Sequence, residues 1–250
     1  MSAPQDVKPT SDHRAPALVF VIALAGVVLH LATGWRYGLF RDEFYYLACA
    51  NHLDWGYVDH PPLSIVVLAA VRGLLGDSLF AVRLVPALLF GLLVWLAACL
   101  ARELGGGRFA QSLAALSVAI APQYLALTGF YSMNAFDLVF WAVAVLLLAR
   151  LVRTDDVRLW RPLGLVVGLG LLNKISLLFF AFGLGVAVLA TPLRRHLKRR
   201  ELWEGVGLAL LLFTPYVLWE MSHGWATLPA RRAASVHSRS TLPTASAGRS

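Results

Sequence analysis

The sequence predicts an all-α protein, a multi-pass bundle of transmembrane helices. Three observations carry that expectation. First, 58% of the 250 residues are hydrophobic and 14% are charged; with a mean hydropathy of +0.67, that is more apolar surface than one water-soluble core can hide. Second, the apolar residues gather into blocks at roughly 17–32, 81–101, 109–127, 138–149, 163–190 and 205–219, several of them long enough to cross a hydrocarbon core of about 30 Å. Third, the blocks lack the alternation of barrel strands, so helices are the element that can satisfy every backbone group in lipid.

The formal charge of +8 does not point to nucleic acid, because the basic residues sit in short segments between apolar blocks rather than along one face. They read as topology. Cys49 and Cys99 form no disulfide, redox or metal pattern; neither a metal nor another cofactor is expected.

Residues 1–16 read as a cytoplasmic tail. Lys8 and Arg14 precede the first apolar block, yet no small-residue cleavage site comes after it, so 17–32 is an uncleaved first helix rather than a signal peptide. It delivers the chain to the outer side at Gly34. Residues 41–53 place Phe44, Leu47 and Ala48 on one helical face, as in a short helix lying on the membrane, with Asp42 and Tyr46 one turn apart on another face. The stretch 62–75 covers only roughly 21 Å at 1.5 Å per residue, and Arg72 precedes the break at Gly76-Asp77-Ser78. It is short for a span and is assigned to the interface.

An interfacial 62–75 sets the direction of every later helix. The helix at 81–101 runs inward to Arg102 and Arg108; the helices at 109–127 and 138–149 return the chain to Arg150, Arg153, Arg158 and Arg161 on the same side, as the positive-inside rule favours. The long block 163–190 has basic loops at both ends, so it must be a hairpin. Its tip is Asn173-Lys174 near the outer leaflet, and its short first arm borrows Leu159 and Trp160. A final helix at 205–219 exits to His223-Gly224-Trp225. The count is seven crossings, with 17–227 as one domain and interfacial helices in the first outer loop. Residues 228–250, rich in Ser, Ala, Thr and Arg, read as a disordered tail.

On this topology the outer surface collects Asp42, Glu43, Asp54, Asp59, His60, Arg83, Asn134, Asp137 and Lys174. Transfer of a sugar from a lipid phosphate needs a base to take a proton from an acceptor hydroxyl and cations to stabilise the departing phosphate. Asp42 suits the first task. Arg83 suits a planar multi-oxygen contact, and Lys174 a point charge. Each residue also has a plainer reading. Asp42 and Glu43 can be solvated loop carboxylates, and His60-Pro61-Pro62 a turn whose proline starts a helix. Arg83 can snorkel to the interface, while Asn134 and Asp137 can cap the next helix. Lys174 is harder to dismiss, because an ionisable group in an apolar block costs about 2.5 kcal/mol or more at mid-bilayer, although a hairpin tip also accounts for it.

Together these residues match a known pattern. The order Phe40-Arg41-Asp42-Glu43-Phe44-Tyr45-Tyr46, Asp59-His60-Pro61-Pro62-Leu63 and Arg83-Leu84-Val85-Pro86-Ala87 resembles the first third of the protein mannosyltransferase and aminoarabinose transferase superfamily, the membrane glycosyltransferases of GT-C type. Tyr131-Ser132-Met133-Asn134-Ala135-Phe136-Asp137, Gly170-Leu171-Leu172-Asn173-Lys174 and Pro215-Tyr216-Val217-Leu218-Trp219, with His223-Gly224-Trp225 after them, are similar to its bacterial branch, glycosyltransferase family 39. The likeness runs from about residue 15 to residue 227.

The resemblance implies that Asp42 is the catalytic base, that Arg83 helps hold a lipid phosphate, and that Lys174 is a second phosphate contact. Glu43 and His60 would help arrange the site. It further implies an inverting, metal-independent transfer from a polyprenyl-phosphate sugar to a lipid, glycan or protein acceptor, in the inner membrane of a cell with the site facing outward. Two departures stand out. Asn134 occupies a place where many relatives have aspartate, with Asp137 one turn later. Relatives are commonly much longer, so an N-terminal fragment is expected. The rival readings are a transporter or flippase for lipid-linked sugars, which would show inverted internal repeats that are not seen in this sequence, and an inactive truncated remnant.

Overall fold

The computed structural model describes residues 16–36 and 38–227. The readings of a cytoplasmic tail at 1–16 and a disordered tail at 228–250 therefore fall outside the described residues, apart from Pro16. Every regular element among the described residues is helical. In order they are α1 (Ala17–Gly34), α2 (Arg41–Ala50), α3 (Leu63–Leu75), α4 (Leu79–Glu103), α5 (Arg108–Ile120), α6 (Pro122–Thr128), α7 (Met133–Thr154), α8 (Trp160–Leu171), α9 (Leu177–Ala190) and α10 (Arg200–Ser222). Helices α1, α4, α7 and α10 are each long and apolar enough to cross a membrane. Two bent pairs, α5 with α6 and α9 with the 3₁₀ helix Pro192–Lys198, raise the number to six by length and composition. The protein is a multi-pass membrane protein, and the outward faces of its helices are apolar: Leu24, Phe179 and Phe182 are all exposed, as suits lipid contact.

Cross-links between loops show which helix ends lie together. At one end Glu103 takes Arg150 and Arg153, each at 2.7 Å, and Glu204 takes Arg161 and Arg200. There the Trp160 indole donates to His196 Nδ1 at 3.0 Å, which leaves Nε2 of that ring to donate to Asp155. At the other end Gly34 lies against Arg83, Gly56 rests on the Trp219 ring, and His30 meets Thr128 at 2.9 Å. Helices α1, α4, α7 and α10 run between these ends, and the α8–α9 pair turns back at Asn173-Lys174; the expected seven crossings compare with the four to six that length and composition give.

α3 makes no such passage. The backbone N–H of Leu63 donates to Leu172 O at 2.9 Å, and Tyr131 Oη donates to Ser64 O at 2.6 Å. Near the other terminus, Arg72 donates to Leu47 O and to Asn51 Oδ1 at 2.9 Å. Both termini of α3 are thus tied to elements of one end of the bundle, as expected of a helix lying along the interface.

Three expected elements differ from what forms. The block at 109–127 is two helices bent by 61°, because Pro122 has no N–H to continue the ladder and forces Ala121 into an extended conformation, with ψ at 121°. The block at 138–149 starts five residues earlier, at Met133, where Ser132 is the N-cap and accepts from the Asn134 N–H at 3.3 Å. Asn134 and Asp137 are therefore free to project sideways rather than to cap. The last helix is longer than 205–219, opening at Arg200 with Glu201 in its first turn.

The tightest packing joins α8 to α10. A Cβ on Gly164 would stand 2.1 Å from Gly205 O, and one on Gly205 would stand 2.2 Å from Trp160 O. Only glycine lets the two backbones approach so closely, the device by which helices associate where lipid removes the hydrophobic driving force.

Candidate active site

The site is built at the end of the bundle opposite the arginine clusters. Phe40 is extended and α2 begins at Arg41, so Asp42 and Glu43 occupy the first helical turn, where the macrodipole favours acidic side chains. Glu43 turns inward and is fully buried. Its carboxylate accepts from the Phe40 N–H at 2.8 Å and the Tyr131 N–H at 2.9 Å. It also accepts from Arg83 Nε at 3.2 Å and Nη2 at 2.9 Å.

Arg83 comes from the first turns of α4 and is 6% exposed. Beyond Glu43 it donates to Gly38 O at 2.8 Å and to Gly34 O. The guanidinium is thus engaged inside the protein by Glu43 and two backbone carbonyls. The cause is Glu43: a buried carboxylate is tolerated only when a cation and several N–H donors surround it.

Asp42 lies one residue away and in the opposite environment. Its side chain is 42% exposed and meets the outward Arg41 at 3.2 Å. Burial first, with the charge of Asp42 adding to it, pushes the neighbouring Tyr46 hydroxyl up to about 12; that hydroxyl accepts from the Met133 N–H at 3.0 Å.

His60 is buried behind Tyr46, stacked on it at 4.9 Å, with the Tyr57 and Tyr45 rings at 5.4 and 5.7 Å. Its Nδ1 donates to Pro61 O at 2.9 Å, which leaves Nε2 as an acceptor; that atom has no protein partner. Burial holds the imidazole below its ordinary range, so it is a neutral ring in an aromatic cage.

Lys174 sits in the α8–α9 turn. Its Nζ lies 2.8 Å from Asn134 Oδ1 and 3.5 Å from Asp137 Oδ2, and its side chain is 32% exposed. Ser176 donates to Asp137 at 2.6 Å, and buried Asn173 donates to Met133 O at 2.9 Å. The turn is thereby docked onto the first turn of α7.

The structure joins Glu43, Arg83, His60 and Lys174 through Tyr46, Tyr131 and the start of α7, with Asp42 at the rim. What sequence reasoning missed is the connecting material: Tyr131 under Glu43, the tyrosines around His60, and Asn173. A signal was present, since all seven tyrosines fall in or beside segments assigned to this side. Among the described residues no group of three or more His, Cys, Asp or Glu side chains is arranged to hold a metal.

Comparison with known proteins adds three findings. The family of dolichyl-phosphate-mannose-protein mannosyltransferases matches residues 59–219, which contain His60, Arg83 and Lys174; Asp42 and Glu43 precede the match. The lipid A galacturonosyltransferase RgtD of Rhizobium johnstonii is 29% identical over 196 residues, covering 76% of this chain and 40% of that protein. Among solved structures, the S. cerevisiae protein O-mannosyltransferase Pmt1-Pmt2 complex bound to the sugar donor superposes with a TM-score of 0.59 at 18% identity, over 84% of this chain and 34% of that one.

Proposed function

The chain belongs to the dolichyl-phosphate-mannose-protein mannosyltransferase family, whose members are membrane glycosyltransferases, and on that premise we propose that it serves transfer of a sugar from a polyprenyl-phosphate donor to an acceptor hydroxyl, with inversion. The observation that carries this reading is the sorting of two adjacent carboxylates, Glu43 sealed against Arg83 and Asp42 left at the rim. Paired acidic groups held in different surroundings are how one site divides its tasks. Asp42 is the base: it takes the proton of the acceptor hydroxyl as that oxygen attacks the anomeric carbon, and the bond to the donor phosphate breaks on the opposite face with its electron pair leaving on the phosphate.

Lys174 contributes positive charge toward that phosphate, since its ammonium has three donors and two acceptors beside it. Arg83 acts through Glu43, holding the first turn of α2 in place. The positive-inside rule makes the arginine-rich end the cytoplasmic one, which supports a site at the outer leaflet. The chain spans 40% of the length of RgtD, and the two relatives are named for different sugars and acceptors. The reading is therefore of the shared chemistry, exerted by the protein at its full length.

The test is transfer from a radiolabelled polyprenyl-phosphate sugar in membranes. Asp42→Asn is expected to lose about 100-fold or more of the rate, while Asp59→Asn, at an exposed position beside the site, retains it. Undiminished transfer by Asp42→Asn removes the mechanism.

A further inference from the structure

A second feature lies along α8, α9 and α10. Between α8, α9 and α10 runs a groove of about 390 Å³, walled by Val167, Leu171, Ala181, Val188 and Ala209 with Trp160 at its foot. The glycine contact draws α8 and α10 together beside α9, and Gly164, Gly185 and Gly205 along the groove contribute no side chains. Along α8 it extends from Trp160 to Leu171, roughly 17 Å at 1.5 Å per residue.

The foot of the groove is built differently from its walls. After α9 the chain turns by 99° into the 3₁₀ helix Pro192–Lys198. That turn buries His196 beneath the bundle and leaves Arg194, Lys198 and Arg199 exposed. Five cations occur between Arg194 and Arg200 with no carboxylate among them; Arg195 is matched by Asp155 and Arg200 by Glu204. Trp203, which is exposed, flanks the opening, and its indole donates to Leu197 O at 2.9 Å. Tryptophans of this kind mark headgroup depth, and exposed cations beside an apolar slot complement an acidic headgroup.

We propose that this groove holds one acyl chain of an anionic phospholipid from the leaflet at the arginine-rich end, with its phosphate against Arg194, Lys198 and Arg199. The exposed cations at its foot place the headgroup at the arginine-rich end, and their excess selects an acidic one. The site is separate from Asp42 and does not rest on the catalytic reading.

The experiment uses the full-length protein in detergent, exposed to equal amounts of phosphatidylglycerol and phosphatidylcholine with identical acyl chains, and weighs the retained lipid by native mass spectrometry. Phosphatidylglycerol is expected in roughly fivefold excess or more, falling toward parity in R194Q/K198Q/R199Q and, for the unaltered protein, in about 0.5 M salt. Ala181→Trp, which fills the groove, releases both lipids. Parity in the unaltered protein overturns the proposal, as does a preference insensitive to both the triple replacement and salt. Displacement of the phospholipid by polyprenyl phosphate with equal efficiency in the triple variant also overturns it, since the groove would then belong to the carrier. So does cysteine cross-linking that finds a later segment of the same polypeptide seated there.

Discussion

Asp42 and Glu43 differ by one methylene and one position, yet a helix turns about 100° per residue, so one faces out and its neighbour faces in. Glu43→Gln leaves the Arg83 charge buried without its carboxylate and is expected to destabilise by about 3–5 kcal/mol, read as a lower unfolding temperature in detergent. Glu43→Leu combined with Arg83→Leu recovers most of that loss, whereas Asp42→Asn melts like the unaltered protein. The sequence could name both carboxylates but not separate them, because the burial of Glu43 is decided by Arg83 and Tyr131, 40 and 88 residues away. His60 has its own signature. Its folded value is depressed below 6.5, so the unfolded chain binds a proton there first as the medium is acidified. Its contribution is complete above pH 6.5 and is lost as pH falls through the folded value. His60→Phe is expected to flatten that acid-side slope in a series of melts between pH 7 and pH 4.5.

Helices were legible where length decided them and illegible where a cap or a proline did. The short apolar run of α3 and the basic loops around the α8–α9 hairpin carried their geometry openly, since parity of charged loops depends on spacing alone. The start of α7 was hidden, because Ser132 caps it before any apolar period begins. The break at Pro122 was visible as a residue but was absorbed into a long apolar block. Helix contacts were hidden too: nothing in the apolar blocks announces that Gly164 and Gly205 bring two backbones together. Gly164→Leu is expected to force α8 from α10 at a cost of about 1–3 kcal/mol or more, while Gly207→Leu, with nothing within 4 Å of its added carbon, stays near the unaltered protein in thermal unfolding.

At the scale of the molecule, two poles of opposite character oppose each other across an apolar girdle. In a variant lacking Cys49 and Cys99, His52→Cys and Ser222→Cys are expected to react with an impermeant maleimide from one side of the membrane, Gly107→Cys and Lys198→Cys only after permeabilisation. Labelling of His52→Cys and Ser222→Cys from opposite sides would sink the arrangement. The all-helical plan and the segregation of arginines were written in composition, whereas the meeting of Gly56 with Trp219 was not, since no local pattern announces a contact between residues so far apart. The Glu43–Arg83 clasp bears on biogenesis. Its two halves lie forty residues apart and leave the ribosome before Tyr131 is made. The segments before Tyr131 can thus be latched together before the later ones insert, and the cell can keep a half-finished polypeptide from drifting apart in the bilayer.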